Sequence, residues 1–217
     1  MKQNPFDTLT SEYEAWFVEN KVLFQSELLA LKQVVPADKK GVEIGIGSGI
    51  FAEQLGIRFG IDPSEKMLEY ARQRGLEAQK GVAENLPYEN DSFDFALFIT
   101  SMCFIDNPDL AVREAYRILK NEGEIIIASL DKETRFGRFL ESEQKNSQFY
   151  KHAHFFSVPE VIELLENNKF RVTQTVQTLE DPATQRVENP VEGYGKGSFV
   201  VIKGVKEQSG ISMLTIF

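Results

Sequence analysis

From residue 41 onward the chain alternates between short apolar runs and helical patterns, and that alternation admits few folds. The apolar runs fall at 41–46, 57–61, 94–99, 124–129, 170–176 and 198–205, with a weaker one at 76–80. Strand and helix in turn specify a mostly parallel sheet with helices on both faces. After residue 107 a helix is well marked: Asp106 or Asn107 can cap it, Pro108 suits its first turn, and Val112, Ala115, Tyr116 and Leu119 recur at helical spacing. A second helix is expected over 158–168, where Ser157 and Glu160 form a capping box and Phe156 and Val161 a hydrophobic staple. Residues 178–197, between the last two runs, are too polar and too rich in Pro and Gly for a crossover helix, so the final strand should return antiparallel. The expected fold is α/β, a seven-stranded, mostly parallel sheet with an antiparallel last strand.

A chain of 217 residues fits one large domain. Its parts are read as a helical cap (8–34), a ligand-binding half (41–130), a lid-like insertion (131–156), a C-terminal helix and hairpin (157–205) and a tail (206–217). The balance of 24 Lys and Arg against 33 Asp and Glu, net −9, opposes a phosphate backbone or an anionic bilayer. Neither nucleic acid nor membrane is therefore expected as a partner. The single cysteine, Cys103, excludes an internal disulfide and a cysteine-cluster zinc site. With no apolar leader and no run of about 18 apolar residues, a cytoplasmic location is the expectation.

The segment Val42-Glu43-Ile44-Gly45-Ile46-Gly47-Ser48-Gly49 places a strand directly before three alternating glycines. Backbone without Cβ atoms can pass within contact of a ligand, although a plain strand-to-helix turn also uses glycine. Asp62 follows at the end of the next apolar run, where an acid can accept hydrogen bonds from both hydroxyls of a ribose. The alternative is that Asp62 caps a helix, with Pro63 at its first position and Glu65 at its third. Downstream lie Gly81-Val82-Ala83-Glu84-Asn85-Leu86-Pro87 and Ser92-Phe93-Asp94.

In this order, the glycine loop, Asp62 with Met67 behind it, the Ala-Glu-x-Leu-Pro segment and the Ser-Phe-Asp entry resemble the class I S-adenosylmethionine-dependent methyltransferases, particularly the group called methyltransferase type 11. Phe6-Asp7 with Tyr13 to Phe17, and Phe155-Phe156-Ser157 with Lys169-Phe170, extend the resemblance over about residues 6 to 205. It implies a Rossmann-like fold and S-adenosylmethionine as cofactor. Glu43 would recognise the methionine ammonium, and Gly45, Ile46, Gly47 and Gly49 would surround the amino-acid moiety. Asp62 would hold the ribose, Pro63 and Met67 would flank the adenine, Ala83 and Glu84 would meet its polar edge, and Thr100 would sit beside the methionine portion. Val82 departs from the pattern, standing where many relatives have Asp. Each residue has a plainer reading: Glu43 as a satisfied strand polar group, Met67 as helix core, Glu84 as a solvated charge, Thr100 as a strand terminator.

Methyl transfer from such a cofactor needs neither metal nor covalent intermediate, so no metal ligands are nominated. Where a base is needed, His152 and His154 are candidates, two apart and on one face of an extended segment; Tyr13 is a third. Residues 131–156 form a lid or an elaborated crossover. Tyr13, Trp16, Phe17 and the 178–197 loop could complete a pocket whose aromatic faces favour an amine or other cation. The acceptor is expected to be a small molecule methylated at N or O. Ile99-Thr100-Ser101-Met102 is unlike the Asn-Pro-Pro-Tyr signature of amino-directed nucleic-acid methyltransferases. Gly193, Gly195 and Gly197 precede a strand and suit a hairpin turn. A monomer or homodimer is expected, and the apolar tail Ile211 to Phe217 could pack, self-associate or stay disordered. The rival readings are an NAD-dependent oxidoreductase and a non-catalytic S-adenosylmethionine-binding regulatory subunit.

Overall fold

The computed structural model describes residues 5–183 and 185–207, so the tail from residue 208 lies outside the described residues. Strand β1 (Gly41–Ile44) is buried on both faces and central: Val42 pairs in parallel with Phe59 of β2 (Phe59–Asp62) on one side and with Ala96 of β4 (Phe93–Ile99) on the other. Beyond β2 lies β3 (Glu77–Lys80), and beyond β4 lies β5 (Leu119–Leu130), both parallel. The chain then adds β6 (Phe170–Thr178), β7 (Val191–Glu192) and β8 (Phe199–Lys206). β8 inserts between β5 and β6, antiparallel to both, giving the order β3-β2-β1-β4-β5-β8-β6-β7. The expected antiparallel last strand is present, and the sheet has eight strands instead of seven. The extra one, β7, is an exposed two-residue edge within the 178–197 connection, too short to leave a pattern in sequence.

Glycine is required at the β6–β8 turn. Gly193 and Gly195 take positive φ, and a Cβ on Gly197 would meet the Thr178 carbonyl oxygen at 2.4 Å. Gln177 Oε1 accepts from the amides of Lys196 and Gly197, fixing the turn.

Each face of the sheet carries its own core. On one, Val42, Ala96 and Phe98 pack under Val112, Ala115 and Ile118 of α6 (Pro108–Ile118) and Val161 and Leu165 of α8 (Val158–Asn167). On the other, Phe95 and Leu97 pack with Leu31 and Val34 of α3 (Lys21–Val34), Phe51 and Ala52 of α4 (Ile50–Leu55) and Leu68 of α5 (Glu65–Gln73). Each fully buried Leu, Val or Phe contributes about 1.5–3 kcal/mol. The caps follow the sequence: Asn107 Oδ1 accepts from the Leu110 amide at 3.1 Å, and the Ser157–Glu160 capping box is formed.

The N-terminal cap is three helices, α1 (Pro5–Thr8), α2 (Thr10–Glu19) and α3, broken at Leu9 and Asn20. The 131–156 insertion contains α7 (Arg135–Glu143) and 3₁₀ turns at Gln144–Asn146 and Tyr150–His152. No helix among the described residues is long and apolar enough to cross a membrane.

Candidate functional site

The parallel strands β1, β2 and β4 end at one rim, where a parallel α/β sheet leaves a crevice. There the glycine loop is held tightly. Gly45, Gly47 and Gly49 all have positive φ, and the amides of Gly45 and Ile46 both donate to the Ile61 carbonyl, at 2.9 and 2.8 Å. A Cβ on Gly45 would lie 2.5 Å from Ser101 Cβ, because the segment after β4 crosses directly over the loop. Ser101 Oγ donates to the Ile44 carbonyl at 2.8 Å and ties the two segments together.

Asp62, 8% exposed, accepts from the Gly47 amide through Oδ2 at 2.9 Å and from the Ser64 amide through Oδ1 at 2.8 Å. Burial pushes its carboxyl up to about 6, against the pull of those two amides. The helix-capping reading of Asp62 fails, since Ser64 caps α5 by accepting from the Met67 amide. Ser64 Oγ also donates to Asp7 Oδ1 at 2.6 Å, which latches α1 over the rim.

Glu43 lies behind the loop, 2% exposed. Burial raises its carboxyl well above the usual range and Asp62 raises it further, the Ala52 amide opposing both. Its Oε2 has no hydrogen-bond partner, a costly state for a buried carboxylate. Thr100, directly after β4, has φ +46, and its amide donates to the Ala128 carbonyl at 2.8 Å. A non-glycine residue in that region costs about 1–3 kcal/mol and such positions cluster at ligand sites.

Gly45, Gly47, Asp62 and Thr100 open into one cavity of about 610 Å³, within the range of small-molecule sites. Gly45, Gly47, Asp62, Pro63, Ala83, Glu84 and Thr100 line its rim side. Much of the remaining lining is aromatic. Phe6 packs against Tyr13, Phe104 and Phe149 at ring-centroid distances of 6.0, 5.1 and 5.5 Å, and Tyr150 stacks on Phe104. Burial first, then the neighbouring Glu43, raises the Tyr13 hydroxyl well above its ordinary value. Glu27 projects into this aromatic part from α3. Lys, Arg and His are absent from the described lining, whereas Glu27, Asp62, Glu84 and Asp106 are in it.

Four of the expected ligand residues stand outside the lining. Met67 is wholly buried in the core, Ile46 packs against Gly60, Gly49 backs onto Leu76 and Ala71 as the α4 cap, and Glu43 sits one layer behind. His152 and His154 are also outside it, both exposed: His152 ends a 3₁₀ turn, while the His154 amide is tied to the Cys103 carbonyl and its ring packs on Phe156. Their neighbours Phe149 and Tyr150 turn inward instead. The sequence reading did not place Glu27, Phe149 or Tyr150 in the site, and offered Asp106 only as a helix cap. For Glu27 a signal existed: it stands four residues from both Leu23 and Leu31, a carboxylate inside an apolar helical stripe.

Residues 42–127 match a family model described as "Methyltransferase domain". A crystal structure from Thermotoga maritima, described as a "SAM-dependent methyltransferase, possible histamine N-methyltransferase", is 46% identical, with TM-score 0.91, covering 94% of this chain and 99% of that one. An uncharacterized protein of Methanocaldococcus jannaschii is 40% identical over 205 residues, 94% of this chain and 99% of its own length. A Haloferax volcanii chain from a complex with the Trm112 methyltransferase activator shares the fold, with 19% identity and TM-score 0.74, covering 96% of this chain and 100% of that one.

Proposed function

The chain belongs to the class I S-adenosylmethionine-dependent methyltransferases, and on that premise we propose that it methylates a small soluble acceptor, at nitrogen or oxygen, by in-line displacement within the aromatic cavity. The observation that carries this reading is continuity: the glycine loop and Asp62 line the same 610 Å³ cavity as the aromatic rings of α1, α2 and the 131–156 insertion. Cofactor and acceptor can therefore meet in one enclosed space.

The residues present fit the cofactor. The glycine rim gives close backbone approach, and at Gly47 a side chain would have to adopt φ +54 and would project toward the Tyr13 hydroxyl, its Cβ in contact at 3.6 Å. Asp62, already oriented by two amides, would accept from the ribose hydroxyls. Glu43, one layer behind the loop with an unpartnered Oε2, would reach the ammonium end through an intervening water, and Pro63, Ala83 and Glu84 would flank the adenine. When bound, S-adenosylmethionine supplies an activated methyl group whose leaving group is a neutral thioether.

The protein's contribution is then positional. Tyr13, Phe149 and Tyr150 exclude water from the acceptor side and fix its orientation, and such alignment is worth about 7–11 kcal/mol of barrier. A proton-bearing acceptor needs a group to take its proton, and the two exposed histidines are poorly placed for that task.

Calorimetry with S-adenosylhomocysteine, followed by a panel of small amines, phenols and alcohols assayed for S-adenosylhomocysteine release, tests the proposal. Turnover on a panel member is expected. Turnover only on a protein or nucleic-acid substrate would overturn it.

A further inference from the structure

Of the two acidic lining residues to which the cofactor reading gives no role, Asp106 is exposed and Glu27 is buried. It lies in the middle of α3, 7% exposed, among Leu23, Ala30 and Leu31. Burial alone pushes its carboxyl up to about 8, and no hydrogen bond or ion pair to a described residue offsets that burial. Facing it is Tyr150, whose hydroxyl is pushed up in turn by burial, by Cys103 and by Glu27 itself. A packing role is a poor account of this residue, because an apolar side chain of similar size would fill the same stripe without the desolvation cost.

We infer that Glu27 is the acceptor-recognition residue, and that the acceptor is a primary or secondary amine carrying an aromatic or compact apolar body. This rests on the proposed small-molecule methyltransferase activity and specifies its substrate class. Three features of the cavity support it. Its lining carries four carboxylates and, among the described residues, no Lys, Arg or His, so it attracts a cation and repels an anion. The ring faces of Phe6, Tyr13, Phe104, Phe149 and Tyr150 suit an ammonium and its apolar body. Glu27 is the buried lining carboxylate to which the cofactor reading gives no role, and an entering ammonium gives it the hydrogen-bonded partner it lacks.

The same contact supplies the proton acceptor that neither histidine is placed to be. The ammonium enters as an ion pair with the Glu27 carboxylate, which takes one N–H proton and frees the nitrogen lone pair. That pair forms the new C–N bond as the methyl–sulfur bond breaks and its electrons stay on sulfur. The products are S-adenosylhomocysteine and an N-methylammonium, and the proton held on Glu27 passes to solvent when the product leaves.

The test is calorimetry on the full chain saturated with S-adenosylhomocysteine, which permits acceptor binding without turnover. The probes are benzylamine, 2-phenylethylamine and tryptamine, each against the alcohol and the carboxylate of matching shape. At least one amine should bind tenfold or more tighter than its alcohol, and the carboxylates should not bind. In Glu27→Gln that preference should vanish while S-adenosylhomocysteine affinity stays within twofold, which also shows that the variant is folded. Alcohols or carboxylates binding as tightly as amines, no amine binding at all, or an unchanged preference in Glu27→Gln would each overturn the inference and leave the methyltransferase reading standing. Failure of S-adenosylhomocysteine to bind the unmodified chain would remove both.

Discussion

Asp62→Asn isolates the residue on which the cofactor site turns. The Asp62 carboxylate accepts from Gly47 at 2.9 Å and from Ser64 at 2.8 Å, one oxygen to each. Asparagine has the same shape but a single acceptor oxygen, so one buried amide must face an NH₂ group. An unsatisfied buried donor costs about 1–3 kcal/mol. If the unsatisfied amide is that of Gly47, the loop that cradles the ligand loosens. The variant also removes the charge-assisted acceptors for the ribose hydroxyls. Affinity for S-adenosylhomocysteine should fall at least tenfold, about 1.4 kcal/mol. The pH dependence is a separate signature. In the free protein the carboxyl sits near 6, and hydroxyl donors favour its ionised form. Wild-type affinity should therefore be full above pH 7 and weaken as pH falls through 6, with no such inflection in the Asn variant. Calorimetry at pH 5, 6, 7 and 8 measures both effects. An Asn variant within twofold of wild type, or a wild-type affinity flat through pH 6, would rule out this role for Asp62.

Other substitutions test the scaffold and the buried carboxyls. Gly45→Ala must take φ +77 and brings a Cβ within 2.5 Å of Ser101 Cβ, so it should lose at least about 1–3 kcal/mol in urea unfolding along with cofactor binding; adding Ser101→Gly should recover part of the stability. Ser157→Ala removes the α8 capping box and should cost about 1 kcal/mol by the same measurement. Glu27, raised from 4.5 to about 8 by burial, favours the fold fully below pH 4.5, and that contribution is lost as pH rises through 8, a swing of roughly 5 kcal/mol. Glu27→Gln should flatten the fall in unfolding free energy between pH 5 and 8, and a fall as steep as wild type would contradict the assignment.

Much of the sheet was legible because β1, β2, β4, β8 and the second half of β5 are largely buried and read as short apolar runs between helical patterns. What escaped has local causes. β5 begins at Leu119, five residues ahead of the apolar run at 124, because Lys120, Asn121 and Glu122 are polar residues on its exposed start. The cap of α5 is Ser64 and not Asp62, a shift of two positions that frees the acid for the site. In the site, residues at the glycine loop and the strand ends were recognisable because their spacing is fixed by the β1–α4 and β2–α5 connections. The acceptor side was legible only in part: Tyr13, Trp16 and Phe17, nominated as pocket residues, line the cavity, whereas Phe6, Glu27 and Tyr150 come from separate elements that only the folded chain brings together. His152 and His154 looked chemically apt, yet the 3₁₀ turn at Tyr150–His152 directs Tyr150 inward and leaves the imidazoles exposed.

Cofactor and acceptor are proposed to share one cavity, lined by both Asp62 and Glu27. A crystal structure of the chain with S-adenosylhomocysteine tests this most directly. Ribose hydroxyls are expected within about 2.7–3.2 Å of the Asp62 carboxylate oxygens, with the thioether sulfur facing the space bounded by Tyr13, Phe149, Tyr150 and Glu27. A ribose away from Asp62, or a sulfur directed out of that space, would contradict it.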